Sequence, residues 1–253
     1  MHALLIACVV FVLILAGIAA GTALRKALPD EHLSQESKDV IRLGSGLIAT
    51  MAALVLSLLI SSAKTSFDTQ RNEIRQMTAN IILLDRTLEG YGPETRPIRN
   101  EVRAAIEPWI ALIWADRALR TGPVKSFALQ GTSERAYSAI LELAPQNDGQ
   151  RFLKTQALQL VTTVVQSRFL IYEQSDTSIP LPFLAVLAFW LTIIFASFSL
   201  FSDLNPTSIT ALCVFAVSAA GAIFLIMEMD QPFSGLMQIS SAPLRSALAP
   251  LGP

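Results

Sequence analysis

Residues 42–75 repeat one kind of side chain every three or four positions. Arg42, Gly46, Thr50, Ala53, Ser57, Ser61, Lys64, Asp68, Arg71 and Arg75 share a narrow sector of a helix that turns about 100° per residue. Ile48, Met51, Val55 and Leu59 lie opposite. The first part of this stripe is small or hydroxyl-bearing and sits in a charge-free apolar run; the second part is mostly cationic. Two chemistries suit the pattern. In hydrocarbon, a face of Gly46, Thr50, Ala53, Ser57 and Ser61 lets neighbouring helix backbones approach closely. Alternatively, several copies of the helix surround a water-filled path, with hydroxyls from Thr50, Ser57 and Ser61 along it and Lys64, Arg71 and Arg75 concentrating small anions at its mouth. Leu56 and Ile60 flank the stripe as candidates for an apolar constriction that gates by dewetting. The charges outside the apolar run favour the path.

A second cluster is Met227-Glu-Met-Asp-Gln-Pro-Phe-Ser-Gly235. Glu228 and Asp230 emerge from an apolar run on the same side as Lys64, Arg71 and Arg75, and Pro232 ends the helix. Three readings stand: ion pairing with those basic residues, a turn that anchors Phe233 in a helical bundle, or a weak cation site of two carboxylates and loop carbonyls. Hard cations such as calcium need six or more oxygens, which two carboxylates do not supply alone.

Other chemistries have little support. The only histidines, His2 and His32, have no ligand-spaced partners, which argues against zinc and histidine catalysis. Gly44-Ser45-Gly46 lacks the Gly-Lys-Ser/Thr of a phosphate loop, so helix packing explains its small residues better. Cys8 and Cys213 lie in apolar runs and form no disulfide framework. A net charge of -1 gives nucleic-acid binding no electrostatic footing. No cofactor or metal is expected.

The elements that must position the stripe follow from hydropathy. Of 253 residues, 52% are hydrophobic and only 15% charged, and the mean hydropathy is +0.50. Lipid must solvate much of such a chain. Four charge-free windows, Ala3–Leu24, Leu43–Ser62, Leu181–Phe201 and Thr207–Met227, reach the ~20 residues that span a bilayer as helix. The first has no basic residues before it and exceeds the usual core of a signal peptide, which favours a retained span over a cleaved leader. The expected fold is an all-α membrane protein with four transmembrane helices and a helical extramembrane domain inserted between the second and third. Residues 1–62 form one transmembrane hairpin, 63–179 the helical domain, 180–228 a second hairpin closed by the polar link Ser202–Pro206, and 229–253 a C-terminal tail.

Within 63–179 the periodicity is helical throughout. The pattern from Ser62 to Leu88 continues the second span without Pro or Gly, up to the stop Gly90-Tyr91-Gly92-Pro93. A helix over Ile98–Leu119 carries Val102, Ile106, Ile110, Ile113 and Trp114 on one face, bends at Pro108 and stops at Gly122-Pro123. Thr132 or Ser133 caps a helix with Ala136, Ile140 and Leu143, ended by Pro145. A last helix, from about Asp148 to Glu173, contributes Leu153, Leu158, Val161, Val165 and Leu170. Basic residues near the spans divide almost evenly: Lys64, Arg71, Arg75, Arg168 and Arg245 on one side, Arg25, Lys26, Lys38 and Arg42 on the other. The positive-inside rule is therefore nearly silent. The absence of a cysteine staple and of a glycosylation sequon, with many arginines, favours a cytoplasmic middle domain in a bacterial inner membrane.

Three segments carry a resemblance: GLIATMAALVLSLLISSAK over 46–64, ANIILLDRTLEGYG over 79–92, and MDQPFSG over 229–235. Together they resemble a widespread membrane family described as bestrophin-like, across nearly the whole chain. The resemblance gives Asp85, Arg86, Pro232, Phe233 and Gly235 structural roles. True bestrophins, to which the likeness is remote and architectural, are pentameric anion channels whose second helix lines a central pore. Carried over, the stripe at Gly46, Thr50, Ala53, Ser57, Ile60 and Ser61 would line a pore with Lys64, Arg71 and Arg75 at its mouth. Two departures stand: the second span has no aromatic neck residues, and Glu228 and Asp230 fall short of the acidic run of the calcium clasp. Three functions are in play: a homo-oligomeric channel for chloride or other small anions, a non-conducting scaffold or sensor whose helical domain binds a protein, and a membrane enzyme or carrier. No ionisable residue lies inside a span, which speaks against the last.

Overall fold

A computed structural model of the chain describes residues 2–29, 34–114, 134–174, 179–202 and 205–251. Their order is α1 (His2–Ala27), α2 (Gln35–Tyr91), a 3-10 turn (Pro93–Thr95), α3 (Arg96–Ile113), α4 (134–141), α5 (Asp148–Gln174), α6 (Leu181–Phe201), α7 (Pro206–Met229), α8 (Ala242–Leu248) and a 3-10 turn (Ala249–Leu251). No strand occurs among the described residues. His32, the end of the expected helix at Leu119, the Gly122-Pro123 stop, the caps Thr132 and Ser133, and Asp203 in the polar link lie outside them.

Four helices, α1, α2, α6 and α7, are long and apolar enough to cross a membrane. α6 has the bounds expected for the third window, and Pro182 sits in its first turn, where a missing N–H is harmless. α2 begins eight residues earlier than its apolar window, because Glu36, Lys38 and Arg42 form helix readily in water. Its 57 residues run unbroken to Tyr91. There Gly92 adopts φ 146°, a backbone conformation that a side chain would strain. Thr95 Oγ1 then donates to the Leu88 carbonyl at 2.6 Å, satisfying one orphan acceptor of the helix end.

The chain divides into two compact units. The first comprises 1–66 and 178–230. Its core gathers Val10, Ile14, Ala52, Leu59, Leu187, Phe195, Ala216 and Ile223. α1 packs on α6 and α7. Two glycines allow the α1–α6 approach: a Cβ on Gly17 would sit 2.7 Å from the Thr192 carbonyl oxygen, and one on Gly21 would overlap the Ala196 carbonyl and Ser199 Oγ. Ser199 donates to the Ile18 carbonyl across the same contact, 2.8 Å. Arg25, in the last turn of α1, donates to the Ser202 carbonyl at the end of α6, where a cation suits the helix dipole.

The second unit comprises 67–177 and 231–253. Its core is larger in side chain: Ile74, Met77, Ile81, Leu84 and Leu88 of α2 meet Val102, Ile106, Trp109 and Ile110 of α3, Ile140 of α4 and Val161 of α5. The apolar face expected for α3 is buried at Val102, Ile106, Ile110 and Ile113, with Trp114 partly so; Pro108 lies inside the helix. α5 departs from expectation. Its buried row is Ala157, Val161, Val164, Arg168 and Ile171, whereas Leu170 is exposed. That row includes an arginine because its guanidinium lies over the Trp109 ring, 5.9 Å from the centroid. Burial pulls the Arg168 pKa down to about 10, so it stays cationic at neutral pH. The C-terminal segment is built into the same core through Phe233, Ile239, Leu244, Ala247 and Leu248.

Candidate functional site

α2 presents the stripe, and its packing within the first unit decides which way each residue points. The row that faces its own chain is Ser45, Ala52, Leu59 and Ala63, each buried, with Ile48, Ala49, Val55 and Leu56 partly so. Gly46, Thr50, Ala53, Ser57 and Ser61 are all exposed, and Ile60 is 39% exposed. A Cβ added at Gly44 or Gly46 would meet nothing within 4 Å. These glycines are therefore not required by intrachain packing, unlike Gly17 and Gly21. The two candidates for an apolar constriction separate: Ile60 stays with the open stripe, while Leu56 packs into the first core. Met51, expected opposite the stripe, is 44% exposed.

The hydroxyls also differ from expectation. Thr50 Oγ1 already donates to the Leu47 carbonyl at 2.7 Å, so it offers a solute a lone pair and a methyl group rather than a proton. Beside the stripe, Leu43, Leu47, Leu54 and Leu58 form a second exposed row. In the second unit the same sector of α2 continues through exposed Arg71 and Arg75, opposite the row of Ile74, Met77 and Ile81. Lys64 is likewise exposed. Along the helix, Gly46 to Ser61 covers about 22 Å and Lys64 to Arg75 about 16 Å.

The residues singled out by motif serve the second unit. Asp85 is 3% exposed and accepts from Arg99 Nε at 2.6 Å; the same guanidinium donates through Nη2 to the Pro250 carbonyl at 2.8 Å. Arg99 was not evident in the sequence. The available signal was an acidic residue on the buried edge of an amphipathic helix, which demands a cation. Arg86 is exposed and pairs with Glu89 one turn on, at 2.9 Å. The Pro232 carbonyl accepts from the Ile239 N–H at 2.6 Å, Phe233 is 2% exposed and meets Trp114 edge to face at 5.2 Å, and Gly235 takes φ 91° in the turn between. Phe233 is thereby anchored in the helical core of the second unit. Glu228 is buried at 5% exposure, and an Asp230 carboxylate oxygen accepts from the Ile179 N–H at 3.4 Å. Among the described residues no three of His, Cys, Asp and Glu gather as a metal site would require.

The model of the bestrophin-like domain matches residues 12–244. The chain belongs to the bestrophin-like family. The fold agrees: the crystal structure of a point mutant of a bacterial bestrophin homolog from Klebsiella pneumoniae superposes with TM-score 0.66 over 99% of both chains, at 15% sequence identity. At that identity the likeness speaks for the fold alone. No curated protein matches the sequence. With its apolar helices and this family, the bestrophin-like chain is an integral membrane protein.

Proposed function

We propose that this bestrophin-like protein is a homo-oligomeric anion channel in which α2 of each copy lines a central path. α1, the apolar part of α2, α6 and α7 cross the bilayer, and the 67–177 region lies outside it, on the cytoplasmic side of a bacterial inner membrane. One observation carries the reading: the hydroxyl-bearing and glycine side of α2 faces away from its own chain, beside an exposed leucine row that suits lipid or a neighbouring copy, while Ala52, Leu59 and Ala63 pack inward. A single copy in lipid would leave Ser57 and Ser61 toward hydrocarbon, which solvates hydroxyls poorly. Water inside a ring of copies solvates them. Ile60 supplies an apolar ring, and Lys64, Arg71 and Arg75 raise the local anion concentration at the entrance. The resemblance to bestrophins suggests five copies.

The test is native mass spectrometry of the purified protein with chloride efflux from liposomes. The channel reading expects a closed oligomer, five copies in the simplest case, and efflux above that of empty liposomes. A monomer or dimer leaves no central path for α2 to line and would favour a scaffold that binds a protein through the second unit.

A further inference from the structure

The outward face of α5 changes character along its length. Between Phe152 and Phe169 its exposed side chains are Thr155, Gln159, Thr162 and Gln166, a polar row that water solvates well. The Thr155 and Thr162 hydroxyls donate to the Arg151 and Leu158 carbonyls at 3.0 and 2.8 Å. Within the next turn the exposed pair is Phe169 and Leu170, 49% and 52% exposed. The inward row meanwhile runs on unchanged through Val161, Val164, Arg168 and Ile171. The helix has therefore not rolled over; its outer face has turned from polar to apolar. Arg168 is held inward over the Trp109 ring, so its charge does not project outward beside the pair. Phe152, at the other end of α5 and about 26 Å away along the axis, is followed outward by the polar row and reads as an ordinary single surface residue.

The chain ties this last turn to membrane helices in two ways. α5 leads through residues 175–180 into α6, whose first turn exposes Leu181 and Phe183. On its inward side, Arg168 covers Trp109, the Trp109 ring meets Trp114 at 6.5 Å, and Trp114 meets Phe233 at 5.2 Å. Phe233 follows Met229, the last residue of α7, by four positions. The outer face of α5 thus becomes apolar in the turn that approaches α6 in sequence.

We propose that Phe169 and Leu170 form a lipid-contact site, laid into the boundary between headgroups and acyl chains of the leaflet that α6 enters, with the Thr and Gln row remaining in water. This rests on the preceding reading that α6 crosses the bilayer and that the 67–177 region lies outside it. Phe and Leu at such a boundary lose water without needing a polar partner. Lipid is the occupant that accounts for where the change falls: the pair extends the apolar surface that Leu181 and Phe183 begin, whereas Gln166, one turn earlier, would be poorly solvated there.

The test is spin-label power saturation on the full-length protein in nanodiscs of phosphatidylcholine and phosphatidylglycerol. Cys8→Ala and Cys213→Ala provide the background, and one label is placed in turn through Phe169→Cys, Leu170→Cys, Phe152→Cys and Val186→Cys. Oxygen concentrates in lipid and a neutral nickel chelate in water. Labels at 169 and 170 should report a depth of about 5–10 Å into the boundary, with an oxygen-to-nickel collision ratio roughly fivefold above that at 152. Nickel collisions at 169 and 170 equal to those at 152 would place the pair in water and overturn the proposal. An immobilised label reached by neither reagent would overturn it too, marking a face covered by protein, such as a second copy. The label at 186, on an exposed position of α6, separates the two readings: oxygen-rich there, it upholds the span whatever 169 and 170 report, and nickel-rich there, it defeats the span and the lipid site together.

Discussion

Residues 35–66 and 67–91 belong to one uninterrupted helix, yet they meet their own chain with different side chains. In the first stretch the inward row is small, with Ser45, Ala52 and Ala63 around Leu59; in the second it is bulky, with Ile74, Met77, Ile81, Leu84 and Leu88. The outward side carries polar residues in both, joined in the first stretch by exposed Leu43, Leu47, Leu54 and Leu58. In water that is the ordinary arrangement of an amphipathic helix. In a bilayer the exposed leucines suit lipid, whereas the outward hydroxyls of Ser57 and Ser61 do not. The same pattern of residues therefore asks for nothing further in the second stretch and for a partner or for water in the first.

The contrast predicts an ordered set of mutational effects on thermal unfolding in detergent. The largest is in the bulky row: Ile81→Ala, at a site with no exposure, should cost about 2–5 kcal/mol through lost burial and the cavity left behind. Ser57→Ala, on the exposed row, should change stability by no more than about 0.5 kcal/mol. Comparable losses at the two positions would erase the distinction between the stretches.

Glycines give the next test. Gly21→Ala forces a methyl group into the Ala196 carbonyl and Ser199 and should destabilise by about 1–3 kcal/mol. Gly46→Ala meets open space and should stabilise by about 0.5–1 kcal/mol through helix propensity alone. A loss at Gly46 instead would show that a neighbouring copy packs against it, turning the stripe into a helix interface rather than a wet wall. The smallest effect is expected at Arg86→Ala. Its ion pair with Glu89 has side chains 71% and 52% exposed, so about 0.5 kcal/mol or less is at stake.

Much of this was legible in the sequence because local rules governed it. No Gly or Pro lies between Leu47 and Glu89, so the long helix followed, and the Gly92-Pro93 stop marked its end. The buried faces of α3 and α4 followed from period alone. The rest depended on contacts between distant segments, which periodicity does not encode. Arg168 reads as a solvated charge until Trp109 is brought beneath it. Asp85 has no visible partner until α3 returns Arg99 to it. Residues 231–251 look like an unstructured tail, because their apolar residues are irregularly spaced among Pro, Ser and Gly and show no periodic face until the core of the second unit receives them. In the stripe, Gly46, Thr50, Ala53, Ser57, Ser61, Lys64, Arg71 and Arg75 are exposed as the periodicity suggests, Asp68 is half-buried, and Met51 and Leu56 depart from it. Periodicity could not tell that Thr50 turns its proton back to Leu47.

The central claim, that the open face of α2 lines an anion path, is tested most directly by single-channel recording in planar bilayers under a chloride gradient, comparing the wild type with a variant in which Lys64, Arg71 and Arg75 are all glutamate. The account predicts chloride-selective openings for the wild type, with a conductance at least about tenfold lower or a reversed ion preference in the variant. No current at any voltage from the wild type, or currents identical in size and selectivity in the two proteins, would contradict it.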